Sequence, residues 1–134
     1  MVAVIKDAEN NTVATTNENW KAQTFYTAPI KDLTCVEERG NIRYSKKCDD
    51  SGGQDGTSFF ALHWEIPNNW MKSDFDDSDW PEATTFTNQT IGVDNKAAYT
   101  NFTDIFDDPS NDAQFIWSTN VVLDNEVLVR YTVR

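Results

Sequence analysis

An all-β sandwich is the expected architecture of this chain, for three reasons. Short extended runs recur between clusters of Asn, Asp, Gly and Thr, as in strands joined by polar loops. Two of those runs, TSFFALHWEIP and EVLVRYTV, alternate with a period of two. No stretch keeps a helical period over a normal helix length, and no internal repeat or linker divides the chain. With 134 residues that include eight Phe, five Trp and four Tyr, one domain over 1–134 has enough apolar area to build a core.

The elements follow in chain order. VAVIK, DAENN and TVATT read as strand, turn and strand, because Asn and Asp favour tight turns. In TNENWKA, Thr16 or Asn17 caps a short turn that delivers Trp20 to the core. QTFYTAPI is extended and is expected to stop at Pro29, which lacks a ladder donor. The segment VEERGNIRYSKK, between Cys35 and Cys48, centres on Arg39-Gly40-Asn41 and reads as a hairpin that brings the two sulfurs together. A disulfide closing a loop of that size contributes about 3 kcal/mol and implies an oxidising compartment. The alternative is two unpaired buried thiols; zinc is disfavoured by the spacing and by His63 being the single histidine.

Beyond Cys48, CDDSGGQDG is an exposed irregular loop. In TSFFALHWEIP, Phe60, Leu62, Trp64 and Ile66 form a wholly apolar face expected to point into the sandwich, opposite Phe59, Ala61, His63 and Glu65. Between 67 and 113, regular structure shrinks to ATTFT and short pieces near Ile91 and Phe106, a pattern of anchored or functional loops. QFIWS and EVLVRYTV close the chain, with Val127, Val129, Tyr131 and Val133 in one row and Leu128, Arg130 and Thr132 in the other.

A formal charge of −11 repels phosphate backbones and anionic lipid, which excludes nucleic acid and bare membranes as natural partners. Divalent cations and glycans remain compatible. No apolar run is long enough to cross a bilayer, and MVAVIKDAENN does not have the form of a signal peptide. The chain therefore reads as a domain excised from a larger secreted or extracellular protein, whose other domains are its neighbours. Sequons at Asn10, Asn88 and Asn101 fit surface loops.

The acids of DFDDSDWPEA raise the question of chemistry. A hydrolytic pair needs two carboxyls facing a cleft roughly 5 to 9 Å apart, one of them with a raised pKa. Asp74, Asp76, Asp77 and Asp79 crowd one turn instead, and the segment lacks the glycine and closing glutamate of a calcium-binding EF-hand loop. The expectation is that they cap a single helical turn and fasten it while Phe75 and Trp80 insert into the core. The fork of Arg130 is expected either to bind one of these carboxylates or a nearby carbonyl, or to lie solvated on the sheet face. A structural calcium ion would draw its oxygens from Asp49, Asp50 and Asp55, or from Asp104, Asp107, Asp108 and Asp112; acidic loops that only solvate the surface are the preferred reading. No nucleophile–base order and no phosphate loop occurs, so no catalytic residue is assigned. Trp20, Trp64, Trp80 and Trp117 look committed to the core or its edge. Trp70, Tyr99 and Phe102, with Asn101, lie in loop contexts and are the candidate sugar-binding residues.

Three pieces of the chain, TVATTNENWKA, WMKSDFDDSDWPEA, and FIWSTN followed by EVLVRYTV, resemble in order the jelly-roll sugar-binding domains attached to glycoside hydrolases such as β-galactosidases and α-rhamnosidases. The resemblance covers most of the chain from residue 12 onward. It implies a galactose-binding-domain-like jelly-roll β-sandwich with long loops and one short helical turn, serving as a non-catalytic accessory module. Residues 32–57, with both cysteines and the Asp/Gly loop, depart from that pattern. Carbohydrate binding is the expected role; the alternative is a structural or adhesive protein–protein or self-assembly domain.

Overall fold

The computed structural model describes residues 1–50, 59–92 and 112–133. Among these residues the fold is all-β and wholly antiparallel, with nine strands: β1 Val4–Lys6, β2 Thr12–Thr15, β3 Lys21–Ile30, β4 Glu37–Arg39, β5 Ile42–Tyr44, β6 Phe60–His63, β7 Thr84–Phe86, β8 Phe115–Trp117 and β9 Asp124–Arg130. A three-stranded sheet of order β6-β3-β9 is accompanied by three ribbons, β1-β2, β4-β5 and β7-β8. Single helical turns occur at Leu33–Cys35 and Asn88–Ile91. The expected turn at Asp74–Asp79 is not helical: residues 67–80 run through successive tight turns. No helix among the described residues is long and apolar enough to cross a membrane.

β3 organises the molecule. Seven of its ten residues are buried, which is unusual for a strand with one solvated face and normal for one covered on both. It pairs with β9 from Lys21↔Arg130 to Thr27↔Asp124, and on its other edge with β6 from Tyr26↔His63 to Ile30↔Phe60. Trp20, Ala22, Ala83 and Ile116 pack together at one end, joined by Val127 and Val129. Ile30, Leu123 and the Cys35–Cys48 disulfide pack at the other, joined by Val36 and Leu62. Between them Phe25 meets the edge of Trp80, with ring centroids 5.6 Å apart.

Local chemistry explains the ribbons. The Asp7 carboxylate accepts from the N–H groups of Glu9 and Asn11, which leaves Asn10 free to take the positive φ of 68° that turns β1 into β2. In the second ribbon, Arg39 pairs with Ile42 around Gly40-Asn41, and Gly40 has the positive φ that a two-residue hairpin asks of its first central residue. The disulfide then closes the hairpin with the Cα atoms 5.0 Å apart. Trp20 reaches the core as expected, but Asn17 alone makes its turn, accepting from the Asn19 N–H. Thr16, fully buried, instead links the N-terminal ribbon to the Gln114 carbonyl.

Two strand expectations need correction. β3 continues past Pro29 to Ile30, because the ladder to β6 shifts register between Thr27 and Ile30 and demands no donor from the proline. The run TSFFALHWEIP forms only four residues of strand, and its apolar row is not an interior face: Phe60 is 54% exposed. Leu62 joins the disulfide cluster, while the half-buried Trp64 lies against the Arg43 guanidinium, 4.6 Å from the ring centroid.

Candidate functional site

The segment 67–80 leaves β6 as a chain of tight turns, closed by N–H groups of Trp70, Lys72, Phe75 and Trp80 donating to carbonyls three residues earlier. Asp76 accepts from the Ser78 N–H at 3.0 Å, and the Ser78 hydroxyl and N–H together hold the Asp76 carboxyl below its usual range. Phe75 and Trp80 meet edge to face at 5.4 Å, and Trp80 is buried. Arg130, the last residue of β9, fastens this loop to the sheet. Its Nε donates to Asp77 Oδ2 at 2.8 Å, Nη1 to the Trp70 carbonyl and Nη2 to the Lys72 carbonyl, while its plane lies 5.0 Å from the Phe75 centroid. The acid and carbonyl partners expected for Arg130 are therefore both present, and the acidic loop is anchored by them. A planar fork suits this task because it serves three acceptors in fixed directions.

Anchoring the loop shapes an open groove along the end of β9. One arm, about 410 Å³, is lined by Val13, Asn19, Lys21, Asp77 and Arg130–Val133. The other, about 580 Å³, runs between Ile5 and the turn bearing Trp70, Met71, Lys72 and Ser73. Tyr131 lines both arms. One face of its ring stacks on the buried indole of Trp20, centroids 5.1 Å apart and planes within 16°, yet Tyr131 remains 43% exposed. The Trp20 indole is fixed in turn by donating to the Thr15 carbonyl at 2.8 Å. The groove thus offers an aromatic surface backed by a buried indole.

Of the four sugar-binding residues expected from sequence, the half-buried Trp70 lines this groove; Tyr99, Asn101 and Phe102 lie outside the described residues. The alternation in the sequence places Tyr131 in the same row as Val127, Val129 and Val133 and does not single it out as a binding residue; β9 ends at Arg130, and Tyr131 just beyond it lines the groove. For calcium, Asp49 and Asp50 are exposed after Cys48 and Asp112 is exposed at a positive φ of 45°, while Asp55, Asp104, Asp107 and Asp108 fall outside the described residues. Among the described residues, no three His, Cys, Asp or Glu side chains are grouped so as to hold a metal ion. His63 stands exposed on β6, its Nε2 3.6 Å from a Glu126 carboxylate on β9, the two side chains meeting across Tyr26 of β3.

A polar centre that the sequence did not announce lies on the opposite end of β9. Asp124 is 1% exposed, and its two oxygens accept from four hydroxyls: Thr27 and Ser45 on Oδ1, both at 2.8 Å, and Thr24 and Ser118 on Oδ2, at 3.2 and 2.5 Å. A carboxylate has about four lone-pair positions, so this set saturates it. Its own carbonyl accepts from the Trp117 indole at 2.9 Å. Closed from water and fully partnered, Asp124 joins β3, β9 and the segments after β5 and β8, and is a structural group. Compared with known proteins, the chain significantly matches no family model, no curated protein and no solved structure.

Proposed function

We propose that this chain is a non-catalytic accessory module of an extracellular protein, of jelly-roll β-sandwich type, that binds carbohydrate in the groove at the end of β9. The observation that carries the reading is the Tyr131 ring, held by Trp20 behind it and open to the groove in front. A pyranose has an apolar face that stacks on such a ring, and its hydroxyls meet hydrogen-bonding groups such as those of Asn19, Lys21 and Thr132. Because the platform is ordered before binding, little conformational entropy is lost on association. The Cys35–Cys48 disulfide supports an extracellular setting.

The test is glycan-array binding followed by titration of the best ligand. Tyr131→Ala and Trp70→Ala are each expected to weaken binding about tenfold or more, the equivalent of about 1.4 kcal/mol of lost stacking. Circular dichroism confirms that each variant is folded. Unchanged affinity in both folded variants removes this site. A second reading, a protein–protein assembly unit, is favoured by the exposed Phe59, Phe60, Val121 and Val122. Concentration-dependent oligomers with no glycan response select it.

A further inference from the structure

Asn10, Asn88 and Asn101 each begin an Asn-x-Thr triplet, and the two described ones sit in different surroundings. Asn10, Asn11 and Thr12 are all exposed, within an unbroken exposed run from Ala8 to Val13. They form the tip of the β1–β2 hairpin and the first residue of β2. The Asp7 carboxylate closes this tip, accepting from the N–H groups of Glu9 and Asn11 and from the Asn11 carboxamide, and the Asn10 N–H donates to the Asp7 carbonyl at 3.1 Å. None of these bonds uses the Asn10 carboxamide. Asn88, by contrast, is half-buried and opens the helical turn Asn88–Ile91. The Thr90 hydroxyl of its triplet lies 2.9 Å from the hydroxyl of Thr87, the residue that caps the same turn. Asn101 lies outside the described residues.

We propose that Asn10 is an N-glycosylation acceptor, so that the domain carries an oligosaccharide of its own at the hairpin tip. In the reaction the Asn10 Nδ2 attacks the anomeric carbon of a lipid-pyrophosphate-linked oligosaccharide. The N-glycosidic bond forms, the bond from that carbon to the pyrophosphate oxygen breaks, the amide loses one proton and the lipid pyrophosphate leaves. Transfer acts on the emerging chain, so the fold enters as a condition: the native state has to carry a bulky, polar chain at the acceptor. Asn10 meets this condition, because its exposed tip keeps every hydrogen bond of the turn when the carboxamide is substituted. Asn88 meets it poorly, since a glycan there crowds a half-buried turn. The Cys35–Cys48 disulfide fits the oxidising export route along which such donors are used. This inference rests on the extracellular setting of the proposed function and not on its groove, because Asn10 lines neither arm.

The experiment secretes the full chain from a eukaryotic host behind a cleavable leader. Occupancy is read site by site, by peptide mass spectrometry after an amidase that converts each glycosylated Asn to Asp. Asn10 is expected to be modified in most secreted molecules and Asn88 in few. Two variants separate the acceptor role from a role in the turn. Asn10→Gly removes the acceptor while suiting the positive φ of 68°. Thr12→Val leaves Asn10 in place and keeps a strand-forming residue at the start of β2, but removes the hydroxyl that defines the triplet. Both are expected to lose the Asn10 glycan and its share of the gel shift, whereas Thr12→Ser keeps them. Retention of the Asn10 glycan in Thr12→Val overturns the proposal. So does an unmodified Asn10 in the secreted wild-type chain, or an Asn88 occupancy equal to that of Asn10, and these two measurements need no variant to fold. Any of these failures leaves the groove reading standing, since glycan-array binding tests that separately.

Discussion

At the scale of the residue, two charged side chains hold this protein together by different means. Asp124 is an acceptor at the centre of four hydroxyls from distant parts of the chain. Asp124→Ala leaves those hydroxyls buried without an acceptor, and the expected cost is on the order of 3 kcal/mol in denaturant unfolding. Asp124→Asn offers donors to groups that are donating already, and it too is expected to destabilise, by less. A loss under about 0.5 kcal/mol for the alanine variant, the range of an ordinary surface change, refutes the assignment. Arg130 is a donor serving three acceptors in one loop. Arg130→Ala is also expected to cost on the order of 3 kcal/mol, since Asp77 and two carbonyls lose their partner. Arg130→Lys recovers only part, because one ammonium cannot reach all three. A melting temperature for Arg130→Ala equal to wild type rules this out.

At the scale of the element, the β4–β5 hairpin is the clearest test of covalent closure. Replacing both Cys35 and Cys48 by Ser is expected to lower unfolding free energy by about 3 kcal/mol, read from urea midpoints. A change under about 1 kcal/mol shows that the packing of Ile30, Leu62 and Leu123 carries that end of the fold unaided. This hairpin and the β1–β2 ribbon were legible in the sequence, because Gly40 and the Asp7–Asn11 cluster specify their turns within a few residues. The anchoring of the acidic loop by Arg130 was legible too, since a cation and a cluster of acids stood ready to meet. The Phe60 row was misjudged for a physical reason: alternation reports that one face differs from the other, not what covers it. The hydroxyl cage of Asp124 was invisible because its members are Ser and Thr spread from 24 to 118, residue types that occur everywhere. Of the candidate groove, Trp70 was found from its loop context, but Tyr131 was hidden in a run that reads as strand to its end.

At the scale of the whole molecule, acidity and folding are coupled. The carboxyls of Asp7, Asp32, Glu37 and Asp76 are all held below their usual ranges, by the side chains of Asn11, Thr34, Lys47 and Ser78 first and by nearby N–H groups or Arg39 second. A group whose folded pKa lies below its unfolded value stabilises the fold above the unfolded value, near 4, and that contribution disappears as pH falls through the folded value. Self-repulsion at a net charge of −11 acts the other way, relaxing as pH drops toward the isoelectric point near 4.3. The melting temperature is therefore expected to rise from pH 8 to about 5 and to fall below about 4. Scanning calorimetry across this range checks it; stability still climbing at pH 3 refutes it. The arrangement around β3 has a further consequence for biosynthesis. Its main partner, β9, is about a hundred positions downstream, as the Thr24–Asp124 separation of 100 shows. A ribosome has thus exposed a sticky, mostly apolar ribbon long before its mate emerges, and chaperone capture of nascent chains is expected at residues 21–30.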